Sequence, residues 1–208
     1  MDSLVSRPTR RIRMSAADRR AGILDAAMEA FATRGYHGTS IDDIASAAGI
    51  SKALIYEHFS SKRDLHETLT TQLATELFVL LRDTAAVPRP PEERLRGGVD
   101  AFLGFVEERR EAWRALFRDA ADPELGEVLE RVQHEATDAI VSLILADPEE
   151  RSHRTQDVEI VAEMLSGSVQ AAANWWYEHQ EVPRAVLVDR VVAFAWLGLE
   201  RLSASADS

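Results

Sequence analysis

The sequence predicts an all-α protein of about nine helices, with a three-helix bundle at the N-terminus and a larger helical domain after it. Two observations predict this fold class. Apolar residues recur at helical spacing through most of the 208 residues, as they do on the buried face of a helix. Serine, glycine and proline residues interrupt these runs where helices would begin and end.

The stretch from Thr39 to Leu65 has the helix start and stop signals of a helix-turn-helix. Ser40 precedes an apolar helical stripe, and Asp43 follows three residues later, which is the spacing of a capping box. Gly49 can adopt the left-handed conformation that ends this helix, and Ser51 can cap the next one. Two short helices joined by so short a turn must cross steeply, as they do in a helix-turn-helix.

The second helix of this pair, from about Lys52 to Glu57, presents polar and small side chains around a single apolar Ile55. Its donors suit phosphates or base edges, and its small apolar groups can approach a thymine methyl. Ser61 and Asp64 repeat the capping spacing, so a third helix begins with Lys62 at a terminus that favours phosphate. The predicted partner is double-stranded DNA, contacted by Thr39, Ser40, Ser51, Lys52, Ala53, Leu54, Tyr56, His58 and Lys62.

This stretch and the helix before it resemble the DNA-binding domain of the TetR family of bacterial repressors. The chain matches the family pattern at Ala27, Phe31, Gly35, Thr39, Ile44, Ala45, Ala48, Gly49, Ser51, Leu54, Tyr56, His58, Phe59, Lys62 and Leu65. It departs at Ala53, where the family often carries Gly, which bears on the bases read rather than on the fold. The resemblance implies a homodimeric regulator, most often a repressor, that binds a palindromic operator. The alternative is an unrelated three-helix corner with solvated polar residues.

The net charge of −11 is unevenly distributed, and the N-terminal part of the chain is basic. Residues 1–65 carry ten Lys or Arg against eight acids, whereas the rest of the chain carries fourteen against twenty-seven. Residues 1–14 contain four arginines and predict a flexible basic arm that follows phosphates or enters the minor groove. The alternative is a terminus without a function.

Other classes of protein are not favoured. The chain has no cysteine and no apolar run long enough to span a membrane, so we expect a cytoplasmic protein without disulfides. The six histidines are scattered, and no HExxH motif, glycine-rich phosphate loop or nucleophile elbow occurs. We therefore expect no enzyme activity, no cofactor and no metal. A small all-α enzyme would need clustered catalytic groups.

Three regions follow from these signals: a basic arm at 1–14, a DNA-binding domain at 15–65, and a helical ligand-binding and dimerisation domain at 66–208. Leucines from Leu65 to Leu81 predict a long amphipathic helix that bridges the two domains. Three prolines between Ala85 and Pro91 predict a break after it, and residues 147–157 predict a polar loop.

The last two helices, at about 157–179 and 183–202, each carry two apolar faces and so need two partners. We expect a four-helix interface between two copies, which the family resemblance also implies; the alternative is a buried helical hairpin within one chain. The predicted interface residues are Val161, Leu165, Val169, Ala172, Trp176, Val188, Val191, Ala195, Gly198 and Leu202.

The larger domain has more big aromatic side chains than a dimerisation hairpin needs. Apolar walls with a few polar groups are typical of small-molecule sites, so we expect an unknown effector to bind there and to shift the DNA-reading ends. The predicted pocket residues are Phe102, Phe105, Trp113, Phe117, His134, Met164, Ser168 and Asn174. One alternative is that the aromatics serve packing alone, in a helix-turn-helix interaction protein without a small-molecule ligand.

Overall fold

A computed structural model describes residues 15–118, 125–145 and 155–206, with side chains described for 15–117, 125–141 and 158–197. The predicted arm at 1–14 and most of the predicted loop at 147–157, namely 147–154, lie outside the described residues. The described residues contain no strand, which confirms the all-α prediction. Their helices are α1 (Ala16–Arg34), α2 (Ile41–Ala48), α3 (Lys52–Tyr56), α4 (Lys62–Ala85), α5 (Pro91–Glu108), α6 (Arg110–Trp113), α7 (Gly126–Leu145), α8 (Thr155–Glu178) and α9 (Arg184–Ala206), with a π-helical turn at Arg114–Arg118.

Helices α1, α2 and α3 and the first turns of α4 form one unit, here called the reading head. Ser40 and Asp43 make the predicted capping box at the start of α2. Gly49 ends α2 in the left-handed conformation, with φ of 65°. The head is built on fully buried side chains from all four helices: Ala27, Phe31, Ile44, Ile55 and Leu65.

The capping box gives a stability prediction. Ser40→Ala removes the side chain that accepts from the Asp43 N–H at 3.1 Å, so we expect the free energy of unfolding to fall by about 1 kcal/mol. Urea unfolding with an unchanged m-value measures it. Ser46→Ala is the matched control, because Ser46 is exposed on the same helix and its side chain makes no hydrogen bond there. Equal losses for the two variants would contradict the capping role.

Helix α4 physically joins the head to the rest of the chain. It has 24 residues and is about 36 Å long, and it runs through the predicted domain boundary at residue 65. Its first turns belong to the head core through Leu65 and Leu69, and its middle continues inward through Leu73 and Leu77. One rigid element therefore reaches from the DNA-reading end into the larger domain.

The head also touches the larger domain directly. Leu116 of the π turn is fully buried against the head core, and the Arg114 guanidinium donates to the Ala32 carbonyl of α1. On the other side, Arg63 of α4 pairs with Glu127 of α7 at 2.6 Å. The π turn contacts both α1 and α4. A change in the position of α6 and the π turn would therefore alter the packing of both helices.

A second core lies among α5, α8 and α9, where Val99, Leu103, Trp176 and Val192 are buried. Ion pairs align α9 along α5. Arg184 reaches Asp100 at 2.9 Å and Glu107 at 2.8 Å, and Arg96 pairs with Asp189. The exposed ion pairs contribute little stability each, but together with the apolar contacts they specify which face of α9 meets α5.

Candidate nucleic-acid interface and internal cavity

Helix α3 exposes the side chains that the sequence assigned to DNA. Ile55 is fully buried and anchors the helix, while Lys52, Ala53 and Tyr56 point to solvent, with Tyr56 48% exposed. Leu54 and His58 are half-buried beside them. The short helix therefore offers a continuous outward surface of mixed donors and small apolar groups, the composition that a major groove accepts.

Two of the predicted capping serines flank this surface. Ser51 is exposed, and its side chain accepts from the Leu54 N–H at 3.3 Å. Ser40 is exposed at the start of α2. Both hydroxyls cap helices, so their predicted DNA contact stays a prediction beside a structural role that is observed.

Lys52 already has a partner in the isolated chain. Its ammonium pairs with Asp42 of α2 at 2.9 Å, and both side chains are largely exposed. The Asp42 hydrogen bond raises the pKa of Lys52 and so favours its charged form. Because an exposed pair is weak, exchanging Asp42 for a phosphate costs little.

Lys62 ties the α1–α2 link to the start of α4. Its ammonium donates to the Tyr36 carbonyl at 2.8 Å and lies 4.1 Å from the centre of the Tyr36 ring. Two of the three N–H donors of Lys62 are left for another acceptor. The side chain is half-buried at the N-terminus of α4, where a phosphate is also favoured by the helix dipole.

This geometry gives a prediction for salt dependence. Lys62→Ala should weaken binding to DNA of any sequence and reduce the slope of log affinity against log salt by about one. Lys62→Arg, which keeps the cation, is the matched control and should keep the slope. Urea unfolding checks that losing the Tyr36 contact has not unfolded the head. An unchanged slope in folded Lys62→Ala would contradict the assignment.

The predicted DNA contact of Thr39 needs correction. The sequence predicted a phosphate contact, but the residue is 2% exposed, and its hydroxyl lies 2.8 Å from the Gly35 carbonyl and 3.1 Å from the Ala30 carbonyl. A buried hydroxyl that already donates within the chain cannot reach DNA. Thr39 instead fixes the link between α1 and α2.

The Asp43 carboxylate makes α2 sensitive to acid. Hydrogen bonds from the Ser40 hydroxyl and backbone N–H, and then from Arg34, lower the pKa of Asp43 from 3.8 to about 2. A lowered pKa stabilises the folded state above the unfolded value, and this contribution is lost as pH falls through the folded value.

We therefore expect the stability difference between the parent and Asp43→Asn to be constant above about pH 5 and to shrink as pH falls toward about 2. Urea unfolding of both proteins at each pH measures it. Asp83→Asn, which removes an exposed carboxylate at the far end of α4, is the control. A difference that does not change with pH would contradict the role of the charged form.

A small internal cavity of about 100 Å³ lies in the larger domain, between α4 and α8. Aromatic side chains and the middle of α4 form one wall, and α7 and α8 supply the other. Its lining residues are Ala74, Leu77, Phe78, Phe102, Trp113, Phe117, Leu129, Val132, Gln133, Ala136, Ser166 and Gln170.

Three of the eight predicted pocket residues line this cavity: Phe102, Trp113 and Phe117. Phe105 does not, because it turns toward the head core and lies under the Arg109 guanidinium. His134 and Met164 lie on an outer groove between α7 and α8 that is open to solvent. These three assignments are therefore corrected.

Ser168 and Asn174 also need correction. The Ser168 hydroxyl donates to the Leu165 carbonyl of its own helix at 2.9 Å, and the residue does not line the cavity. Asn174 lies outside the lining too, but its side-chain carbonyl accepts from the Trp113 indole N–H at 3.1 Å. Asn174 therefore orients a wall residue from behind.

The sequence did not predict the residues of α4 and α7 that line this cavity. The apolar stripe of α4 that includes Leu73 and Leu77 was assigned only to bridging the domains. The available signal was Phe78, which adds a large aromatic beside that stripe in the half of α4 beyond the head.

The predicted dimer face also needs correction, because most of its side chains pack against other helices of the same chain. Val169, Trp176, Val188 and Val191 are buried in the second core, and Leu165 and Ala172 pack against it. Val161 and Ala195 are half-buried. Gly198 and Leu202 lie in α9 beyond residue 197, where side chains are not described.

The opposite surface of α8 and α9, here called the outer face, is apolar and exposed. On α8 it follows one helical stripe with small residues at its centre: Ile160, Met164, Gly167, Ala171 and Trp175. On α9 it comprises Val186, Phe194 and Leu197, with Phe194 69% exposed. Exposed apolar side chains grouped along a helical stripe, as on α8, are typical of a protein interface.

Comparison with known proteins agrees with this geometry. Residues 23–69 match the family model described as bacterial regulatory proteins of the tetR family, and residues 91–198 match the one described as a tetracyclin repressor-like C-terminal domain. The chain belongs to the TetR family. This TetR-family chain is thus a DNA-binding transcriptional regulator, which confirms the predictions of family, general function and non-enzymatic class.

Relatives match along most of this TetR-family chain. The HTH-type transcriptional activator FasR of Mycolicibacterium smegmatis is 30% identical, over 91% of this chain and 87% of its own length. A TetR-like regulator from Rhodococcus sp. RHA1 is 30% identical with a TM-score of 0.71, covering 90% and 99% of the two chains. FadR of Bacillus subtilis, solved with stearoyl-CoA, is 17% identical with a TM-score of 0.74, covering 84% and 96%.

Two further findings concern only the described residues. None of their helices combines the length and apolar character that crossing a bilayer requires. Within the same ranges, histidine and acidic side chains do not gather in groups of three that could hold a metal ion.

Proposed function

We propose that this regulator binds a palindromic operator as a homodimer and that a small, largely apolar effector in the internal cavity lowers its affinity for DNA. One observation carries the proposal. Helix α4 supplies Lys62 to the reading head and Ala74, Leu77 and Phe78 to the cavity wall. A ligand that enlarges the cavity by moving α4 or the π turn would shift an element that contacts the head.

DNA contact is assigned to the outward surface of α3 and the N-termini beside it. Lys52, Ala53, Leu54, Tyr56 and His58 would enter the major groove, and Lys62, Ser40 and Ser51 would contact the backbone. Removing Thr39 from this set leaves every proposed contact half-buried or exposed.

The dimer is assigned to the outer face. Its aromatic and aliphatic side chains, 48–69% exposed at Trp175, Met164 and Phe194, would be covered by the same surface of a second copy around a two-fold axis. The small residues Gly167 and Ala171 let two copies of α8 approach closely. Two-fold symmetry would place the two reading heads on the half-sites of a palindrome.

The effector remains to be identified. FadR of Bacillus subtilis was solved with stearoyl-CoA, so acyl compounds of graded length form a reasonable first panel. The sign of regulation also stays a prediction: the family resemblance implies a repressor, whereas the FasR relative is named an activator. A cytoplasmic location likewise remains a prediction.

A second candidate is a helix-turn-helix regulator that has no small-molecule ligand. The observation in its favour is the cavity volume of about 100 Å³, below the range of about 300–1,000 Å³ that is usual for drug-sized ligands. Under this alternative the aromatic wall serves packing alone.

The test begins with selection of bound fragments from genomic DNA to obtain the operator. Fluorescence anisotropy then measures operator affinity with fatty acids, fatty alcohols, amides and acyl-CoAs up to stearoyl-CoA. We expect at least one compound to lower the affinity at saturation. If compounds bind but leave operator affinity unchanged, or if none binds, the second candidate is favoured.

A further inference from the structure

The internal cavity has a polar patch that packing alone does not require. Helix α8 carries Ser166, Gln170 and Asn174 at intervals of four, which places them on one side of the helix, facing an aromatic wall. Asn174 is explained by its bond to Trp113. Ser166 and Gln170 line the cavity itself, together with Gln133 of α7.

These three side chains keep hydrogen-bonding capacity for a ligand. Gln133 donates from its amide nitrogen to the Ser166 oxygen at 2.9 Å, which leaves the Ser166 hydroxyl hydrogen and the Gln133 carbonyl oxygen available. The Gln170 side chain makes no hydrogen bond within the described residues. Donors and acceptors are therefore both available on one wall.

None of the described lining residues is charged. Three acids of α7 and α8, Asp138, Glu159 and Glu163, line the outer groove instead. A buried anion needs a cation or several donors, and a desolvated carboxylate without them is strongly disfavoured. An uncharged polar group needs only one or two hydrogen bonds, which this wall offers.

We propose that the cavity selects an effector whose buried part is an apolar body with one uncharged hydrogen-bonding group, such as an amide, ester, thioester or hydroxyl. This inference rests on the proposed function and names its ligand class. The aromatic side chains Phe78, Phe102, Trp113 and Phe117 take the apolar body, and the Gln133, Ser166 and Gln170 patch takes the polar group. A free carboxylate on the same body is rejected.

Three probes of one chain length test the selection: octanamide, 1-octanol and octanoate. Calorimetric titration of the full chain at pH 7.5 should give octanamide an affinity at least about tenfold above that of octanoate, because the carboxylate loses its hydration without a partner. Octanoate binding should strengthen as pH falls toward the pKa of the acid, since the neutral form then enters.

Variants separate the polar patch from general packing. Gln170→Leu should lower octanamide affinity about tenfold and reduce its advantage over octanoate, because a hydrogen bond is lost while the wall stays filled. Gln72→Leu, on the exposed side of α4, is the matched control and should leave both affinities unchanged. Urea unfolding of each variant confirms that the fold is intact.

The outcomes distinguish the two proposals. Octanoate binding as tightly as octanamide at pH 7.5 overturns the ligand class but leaves the effector cavity in place. The same holds if folded Gln170→Leu and Ser166→Ala both keep the parent's preference. If none of the three probes binds but a longer acyl compound lowers operator affinity, this inference fails and the effector cavity stands. If no compound of either panel binds, the ligand part of the proposed function fails as well.

Discussion

Phe194→Glu is expected to convert the proposed dimer into monomers and to lower operator affinity at least about hundredfold, because the second half-site is no longer held at high effective concentration. Phe194 is 69% exposed on α9, and the charge would face its own copy across a two-fold axis. Sedimentation velocity at micromolar concentration and fluorescence anisotropy on the operator measure the two effects together.

Val87→Glu is the matched control. Val87 is another exposed apolar residue, but it lies between α4 and α5, away from the outer face. The control should remain dimeric and bind operator like the parent. A parent that sediments as a monomer, or a monomeric Phe194→Glu that binds the full operator normally, would contradict the dimer assignment.

Tyr56→Ala is expected to lower operator affinity by about ten- to hundredfold, which is the range for losing one good base contact in the major groove. Tyr56 is half exposed, and its hydroxyl makes no hydrogen bond within the described residues, so the substitution should leave the head folded. Ile55, the buried neighbour, keeps α3 in place.

The loss should be greater on the operator than on unrelated DNA, because a base contact carries sequence information. Arg82→Ala, 71% exposed at the far end of α4, is the control and should bind both DNAs like the parent. A folded Tyr56→Ala that keeps the parent's ratio of specific to non-specific affinity would remove Tyr56 from the reading surface.

The sequence predicted the local features well because their causes are local. Each helix start in the reading head is set by a serine and a partner three residues later, as at Ser40 and Asp43, and this spacing can be read directly. The end of α2 at Gly49 could be predicted in the same way, since glycine readily adopts the φ of 65° found there. The structural role of Thr39 was not predicted, because one of the two carbonyls that its hydroxyl contacts, that of Ala30, is nine residues away.

The face of α8 and α9 that packs within the chain was not recognised because both faces are apolar. Periodicity shows that two faces exist but not which of them meets α5. The charges held the missing information: Arg184 and Asp189 of α9 complement Asp100 and Arg96 of α5. Complementary ion pairs across two helices therefore identify the internal face where hydrophobicity does not.

The cavity was only partly predictable because its walls come from six elements of the chain: α4, α5, α6, the π turn, α7 and α8. The aromatic side chains Phe102, Trp113 and Phe117 were recognised from composition. Gln133 of α7 and Ser166 of α8 meet only after both helices have packed, at a sequence separation of 33 residues. No local pattern encodes that meeting.

The most direct test of coupling between cavity and reading head is operator affinity measured against rising concentration of the tightest-binding effector. If the effector acts through α4 and the π turn, the affinity should fall by about five- to 150-fold and then level off, since the shift is limited by the differential affinity for two arrangements. Unchanged operator affinity at saturation would contradict the account. So would a fall that continues in proportion to concentration, because the ligand would then displace DNA directly from the reading head.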